Sequence, residues 1–366
     1  MLDSAGSGRT ATWMAGRIYE WAKEVGALAD GSGSGLGGPG LATYLGVSCD
    51  AKQAQAVERL RKMKVVAVVA DDDANHVGVL VKTQVSEAAI RSLPTKLGDF
   101  SIEFLGHAEA PSFPPSVAPH SAALGGSRFW TPGGRFACGS SITAAPIHSA
   151  GTMGALIRLA DGRLCGLTNN HVTGACNYTE VGMHVMCPST VDAAVNQPPP
   201  TAIGKHLRLA EIRAGDPGQL SKQRLDVAIF TINDENLVTS WQGDKQYDTP
   251  AAVVPPAAQM RLKKVGRTSG LTSGRVVGEV KTPLVFPYAA PQFKANVHFE
   301  GVWSVAGLHG DEFSTFGDSG SLVVTEDGSA AVGLILGGQA GGVTYIMPIA
   351  AVLAEFGATL VGGHNI

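Results

Sequence analysis

No run of 18 uninterrupted apolar residues occurs in the 366-residue chain, so no transmembrane helix is expected. The opening segment, Met1 to Thr12, lacks a basic stretch followed by an apolar core, so no secretory signal is read there. Charge is sparse and nearly balanced: 28 Lys+Arg against 31 Asp+Glu, a net charge of -3. Nucleic acid and anionic membrane surfaces call for a basic excess, so neither is expected as a partner. Cysteine is scarce too. Cys49, Cys138, Cys165, Cys176 and Cys187 form no Cys-x-x-Cys pair, which argues against a zinc site, and no metal or other cofactor is expected. An odd count without a signal predicts reduced, buried thiols in the cytoplasm.

What the chain does have is apolar mass and turn formers. Hydrophobic residues make up 44%, with 47 glycines and 20 prolines. That composition predicts a core-forming, mainly β protein with many short connections.

Four segments follow from the pattern. Residues 1–48 hold an amphipathic helix and a Gly-rich linker. Trp13, Met14, Ile18, Trp21, Ala22 and Val25 recur at helical spacing over residues 10–27. The linker, Gly31 to Gly40, has no preceding strand and no following Lys-Ser/Thr, so phosphate binding is not read into it. Residues 49–110 read as a small α/β domain, with helices over 51–62 and 85–92 and strands at Val65–Val69, Val77–Val81 and Phe100–Leu105. Asp71, Asp72 and Asp73 are read as a solvated hairpin turn, because the glycine and terminal glutamate of a calcium loop are missing. Residues 111–148 read as a Pro/Ser/Gly-rich connector. From Ser149 to Ile366 short apolar runs alternate with turns: 154–159, 164–168, 226–230, 274–280, 294–305, 321–325 and 331–336. A helix from Pro348 to Phe356 closes the chain, stopped by Gly357.

Three motifs in this last segment carry chemistry. Gly317-Asp318-Ser319-Gly320-Ser321 puts a serine on a tight turn between glycines. A nucleophilic serine needs an exposed hydroxyl and backbone N–H groups nearby for the developing oxyanion. Gly317 lets its own N–H point with that of Ser319, and Gly320 leaves room for a substrate. His171 ends the apolar hairpin in Thr168-Asn169-Asn170-His171-Val172. Asp226 heads the apolar strand Asp226-Val227-Ala228-Ile229-Phe230, where a partly buried carboxylate needs a partner. Holding a histidine N–H supplies one. The order His171, Asp226, Ser319 is that of chymotrypsin; subtilisins and α/β-hydrolases run otherwise. The spacings, 55 and 93 residues, leave room for two barrels with a cleft between them.

On these motifs the chain resembles the trypsin-like serine peptidases over residues 140–360. Within them it looks like bacterial proteins related to the plant narrow-leaf protease. That closer likeness rests on His148 to Gly154, Leu167 to Val172, Gly266 to Gly274, Gly317 to Ser321 and the Pro348 helix. The resemblance implies a chymotrypsin-like double β-barrel with a C-terminal helix, preceded by the small α/β domain. It implies hydrolysis of a protein or peptide substrate through an acyl-enzyme, with no cofactor, and it leaves a homo-oligomer open. It assigns His171 as base, Asp226 as its orienter, Ser319 as nucleophile, and the Gly317 and Ser319 amides as the oxyanion hole. Phe313 would form the base of the S1 pocket, with Thr315 and Phe316 and Leu336, Gly337 and Gly338 as walls and Gly342 at the entrance. An apolar base favours small or apolar side chains over Arg or Lys.

Secreted trypsins pair a cleaved N-terminus with the aspartate before the serine. Here some 150 residues precede the protease-like segment, so either another group holds Asp318 or cleavage within 138–150 frees one. A protease-like module that binds peptides without cutting them is the competing expectation.

Overall fold

The structure is a computed structural model that describes residues 9–29, 39–48, 59–82, 86, 93–106, 129–131, 133–145, 147, 149–193, 198–213, 223–282, 284–290, 293–338 and 343–366. Most of the Gly-rich linker, helix positions 51–58, the expected helix 85–92 apart from Ser86, residues 107–110, residues 111–128 of the connector, and Gly342 lie outside the described residues. The chain divides into two compact units, residues 1–109 with 277–284, and residues 110–276 with 285–366. Among the described residues no helix is long and apolar enough to cross a membrane.

In the first unit a helix, Ala11–Glu24, packs Met14, Ile18, Trp21 and Ala22 into a core that also holds Val68, Val77, Val79 and Phe104. Trp13 departs from the predicted apolar face. It is exposed, and the Arg9 guanidinium lies over its ring at 4.7 Å. Strands Val65–Asp71 and His76–Val81 form the expected hairpin, and Phe100–Gly106 runs parallel to the second of them. The aspartate run serves this hairpin. Asp71 Oδ1 accepts from the Asp73 and Ala74 amides, while Asp72 accepts the Thr12 amide at 2.6 Å and its hydroxyl at 2.9 Å. One carboxylate thus satisfies an otherwise unbonded amide in the helix's first turn. A short helix, Leu41–Leu45, was not foreseen.

The second unit is built on two β layers. Strands Arg261–Gly266, Leu322–Thr325, Ala330–Gly338, Thr344–Pro348, Trp303–Gly307 and Gly270–Val280 pair in that order, and the first also pairs with the last. This closes a six-stranded barrel and leaves it no open edge. Leu262, Val276, Val305, Phe313, Val323, Val332, Ile335 and Ile346 fill it. The other sheet runs through Ala358–Leu360, Ala155–Leu159, Leu164–Thr168, Ala228–Ile232, Thr201–Leu209, His184–Cys187, Ser141–Ala144 and Gly151–Thr152. Ile142, Met153, Leu156, Val185, Ile203 and Phe230 are in its core. The fold is mainly β: a closed six-stranded barrel, a second half-barrel and a C-terminal helix, the arrangement of the chymotrypsin fold.

That helix spans Ile349–Phe356 and buries Ile349, Val352, Leu353 and Phe356, one stripe at helical spacing. It ends at Gly357, whose φ of 62° suits glycine. Two expectations are corrected here. The run 294–305 is two strands, Phe293–Phe299 and Trp303–Gly307, because Gly301 turns between them at φ 68°. Phe136–Cys138 and Ser141–Ala144, expected as connector, are wholly buried strands.

Candidate active site

Register brings His171 and Asp226 together. Ala228 pairs with Thr168 and Ile229 with Leu167, antiparallel. Continuing that register by two residues sets Asp226 opposite Asn170, beside His171. The strand Leu164–Thr168 ends there, and a wide, π-type helical turn, Asn170–Gly174, carries the histidine.

The two asparagines before His171 hold this turn. Asn169 donates to the Asp226 carbonyl at 2.6 Å. Asn170 donates to the Ala210 carbonyl at 2.8 Å and to Asn177 Oδ1 at 2.7 Å. Asn177 in turn exchanges bonds with both backbone groups of Ile212, at 2.8 and 2.7 Å. Ala175, Cys176 and Asn177 all have positive φ, so the network holds backbone that is unfavourable by itself.

His171 and Asp226 meet twice. The His171 amide donates to Asp226 Oδ1 at 3.1 Å, and its ring Nδ1 lies 2.5 Å from Oδ2. The Asp226 side chain is fully buried, and that of His171 is 11% exposed. A third group, absent from the sequence reading, joins them. Tyr288 donates its hydroxyl to Asp226 Oδ2 at 2.6 Å. Only a lone tyrosine in an apolar run, Leu284 to Ala290, marked it in sequence. Cys165 and Cys176, which flank His171, are free thiols, and burial pushes the Cys176 thiol up to about 12.

Thr152 ties the Ser319 loop to the histidine strand. Its amide donates to the Ser319 carbonyl at 2.9 Å and its hydroxyl to the Gly317 carbonyl at 2.8 Å. Its own carbonyl accepts the Thr168 hydroxyl at 2.8 Å, three residues before His171. Gly317 and Gly320 have φ of 93° and 89°, where a side chain is strained. A Cβ at Gly320 would stand 2.5 Å from Thr168 Oγ1 and 2.6 Å from the Thr152 carbonyl. The glycine is therefore needed for loop packing. Among the described residues neither the Gly317 nor the Ser319 amide donates to a protein acceptor.

Asp318 has a buried partner. Lys264 Nζ lies 3.0 Å from Asp318 Oδ2, with both side chains fully buried. The Thr268 and Ser269 amides donate to Oδ1 at 2.9 and 3.1 Å; the Thr315 amide and the Ser269 hydroxyl donate to Oδ2 at 3.1 and 2.5 Å. Burial alone would push this carboxyl up, but the ammonium and these donors outweigh it and hold it below its ordinary value. Lys264 was missed in the sequence. The signal was present: in Arg261–Gly266, Leu262, Lys264 and Gly266 alternate onto one buried face. Its neighbour Lys263 faces the other way, over the Tyr247 ring at 4.6 Å.

Phe313 is wholly buried, and its carbonyl accepts the Thr272 hydroxyl at 2.6 Å. The neighbouring acids, Asp311 and Glu312, are exposed. Thr315 is half-buried and Phe316 39% exposed. Leu336, Gly337 and Gly338 end a strand whose partner on one side, Leu322–Thr325, reaches only as far as Leu334. On the other side Gly337 and Gly338 pair with Tyr345 and Thr344. A Cβ at Gly338 would overlap Ser314 Oγ, which is 2.6 Å from Thr344 Oγ1.

No family model and no curated protein matches the chain. Among solved structures it is similar to Protease A of Thermobifida fusca, at 18% identity over 62% of this chain and 100% of that one, with a TM-score of 0.41. It is similar also to the Nocardiopsis protease, at 17% identity, 61% and 97% coverage and a TM-score of 0.38. The chymotrypsin of Cellulomonas bogoriensis gives 16% identity, 61% and 97% coverage and a TM-score of 0.38. What the site of this chain does rests on its own residues.

Proposed function

We propose that the chain is a serine endopeptidase. The observation that carries this reading is the double contact between His171 and a fully buried Asp226, with the Ser319 turn bonded through Thr152 to the strand that leads to His171. In the proposed reaction Ser319 Oγ attacks the scissile carbonyl carbon and its proton passes to His171 Nε2. Asp226 holds the ring through Nδ1–H and stabilises the imidazolium. The Gly317 and Ser319 amides receive the developing oxyanion, each contributing about 3 kcal/mol to the transition state. The imidazolium then protonates the leaving amine, and water releases the acyl group by the same steps in reverse roles.

The finer parts of the reading are also proposals. The end of the strand at Leu336–Gly338, beyond the reach of Leu322–Thr325, suits an extended peptide added as a strand. Phe313 in place of an acid suits small or apolar side chains beside the cleaved bond and a restricted specificity. The likeness to the narrow-leaf group favours a cytoplasmic enzyme, as do the buried free thiols Cys138, Cys165, Cys176 and Cys187. The first unit, which holds none of the three motifs, is assigned a regulatory or oligomerising role.

The test is intact-mass spectrometry after treatment with a fluorophosphonate. One adduct on the wild type and none on Ser319→Ala is expected, with a loss of roughly 10⁴-fold or more in kcat for the variant. A folded wild-type chain that takes no label would favour the peptide-binding module instead.

A further inference from the structure

We propose that Tyr288 is a positioning residue for the Asp226–His171 pair, holding through its hydroxyl the same carboxylate oxygen that faces the imidazole. The inference rests on the reading of His171 as the base and adds to it a member from outside the three motifs.

The geometry is specific. Asp226 Oδ2 lies 2.5 Å from His171 Nδ1 and 2.6 Å from the Tyr288 hydroxyl, while Oδ1 takes the His171 amide at 3.1 Å. A fully buried carboxylate has no water to complete its shell, so each donor counts. The tyrosine is itself held. Its ring stacks on Phe299 at 6.0 Å and meets the His171 ring edge-on at 5.8 Å. Phe286, two residues earlier on the same face of the strand Leu284–Ala290, meets Phe299 at 5.7 Å and Tyr345 at 5.5 Å. The aromatic cluster fixes the hydroxyl, and the hydroxyl fixes Asp226 against rotation.

The groups that face the pair keep one charge state across the neutral range. Burial, reinforced by the Asp226 charge, pushes the Tyr288 phenol well above its ordinary value, so it stays a donor. Cys176, on the turn that follows His171, is held as a thiol by burial. Two further groups on Asp226, the Asn169 side-chain amide at 2.6 Å from its carbonyl and Met347 Sδ at 3.1 Å from its amide, do not titrate.

A consequence follows for the base. The phenol presents the positive end of its O–H dipole to Oδ2, which spreads the carboxylate's charge and opposes a positive charge on the adjacent ring. Without it the imidazolium is favoured, and a higher pH is needed to free the base. A residue that only fills space would have no such effect once its ring is kept.

Tyr288→Phe, in the full-length chain, keeps the ring and removes the hydroxyl. Phe286→Leu disturbs the same cluster without touching Asp226. Two readouts are taken on each: the proton resonance of the His171 Nδ1–H by NMR without substrate, and the rate of fluorophosphonate labelling against pH. Tyr288→Phe is expected to move the resonance downfield. It should also move the acid limb of the labelling profile up by about one pH unit, so that labelling on that limb is about tenfold slower and recovers in alkali. Phe286→Leu, which keeps the hydroxyl, should move the resonance much less than Tyr288→Phe does. A resonance unmoved in Tyr288→Phe, or moved equally in Phe286→Leu, overturns the proposal. A wild type that never takes the label while the resonance responds to Tyr288→Phe overturns the endopeptidase reading and leaves the Tyr288–Asp226 coupling standing.

Discussion

Lys264 and Asp318 form a fully buried ion pair, Nζ to Oδ2 3.0 Å, directly beneath the turn that carries Ser319. Five donors converge on the Asp318 carboxylate, and one of them is an ammonium from within the same barrel. Of the two alternatives posed by the sequence, an internal group holding Asp318 or a new N-terminus doing so, the side chain of Lys264 is the one seen.

Removing that ammonium should be costly. Lys264→Met leaves a buried carboxylate unpaired and is expected to destabilise the protein by about 3–5 kcal/mol. Asp318→Asn added to it should recover part of the loss, because no charge is then stranded. Denaturant unfolding of the single and double variants measures both numbers.

Because Lys264 is already in place, the site should assemble without proteolysis. The expected fluorophosphonate adduct is on a chain of full-length mass. An adduct found only on chains cut within residues 138–150 would show instead that a freed terminus is required.

The same pair sets a pH dependence. Asp318 has a folded value held below its ordinary 3.8, so its contribution is fully present above that value and is lost as pH falls through the folded one. Unfolding free energy should therefore hold down to about pH 4 and drop below it, and the drop should be shallower in Asp318→Asn. Denaturation series across that range decide it.

Asp226→Asn should keep the fold and lose the reaction. The amide can present an N–H to His171 Nδ1 and so select the wrong tautomer, and kcat is expected to fall by about 10⁴-fold. Hydrolysis of an activated ester by the purified variant measures this; an undiminished rate would remove Asp226 from the mechanism.

Gly320→Ala tests the turn. At φ 89°, with Thr168 Oγ1 and the Thr152 carbonyl inside contact distance of any Cβ, the methyl group forces the loop off the histidine strand. A loss of about 2 kcal/mol or more and much slower labelling are expected together. A variant that unfolds as the wild type does would mean that the loop can move freely there.

How far each element could be read in advance depends on how local its cause is. The helix at Ala11–Glu24, the hairpin around Asp71–Asn75 and the closing helix at Ile349–Phe356 have their reasons within a few residues: apolar spacing, turn formers and a C-terminal glycine. Trp13 was misplaced because spacing alone does not tell which edge of a stripe is covered. The strands Phe136–Cys138 and Ser141–Ala144 were missed because Gly, Ser and Thr mask a strand whose burial comes from distant partners.

By itself the sequence determined the mainly β texture, the order His171, Asp226, Ser319, and the glycines that let the serine turn form. These are matters of local propensity and of chemistry carried on single residues. Tertiary structure alone decided that His171 and Asp226 touch, because strand register between Leu164–Thr168 and Ala228–Ile232 sets it. It also decided that Lys264 answers Asp318 and that Tyr288 completes the shell of Asp226. Lys264 precedes Asp318 by 54 positions and Tyr288 follows Asp226 by 62. A buried charge must find a partner, but only the folded chain selects which distant side chain arrives.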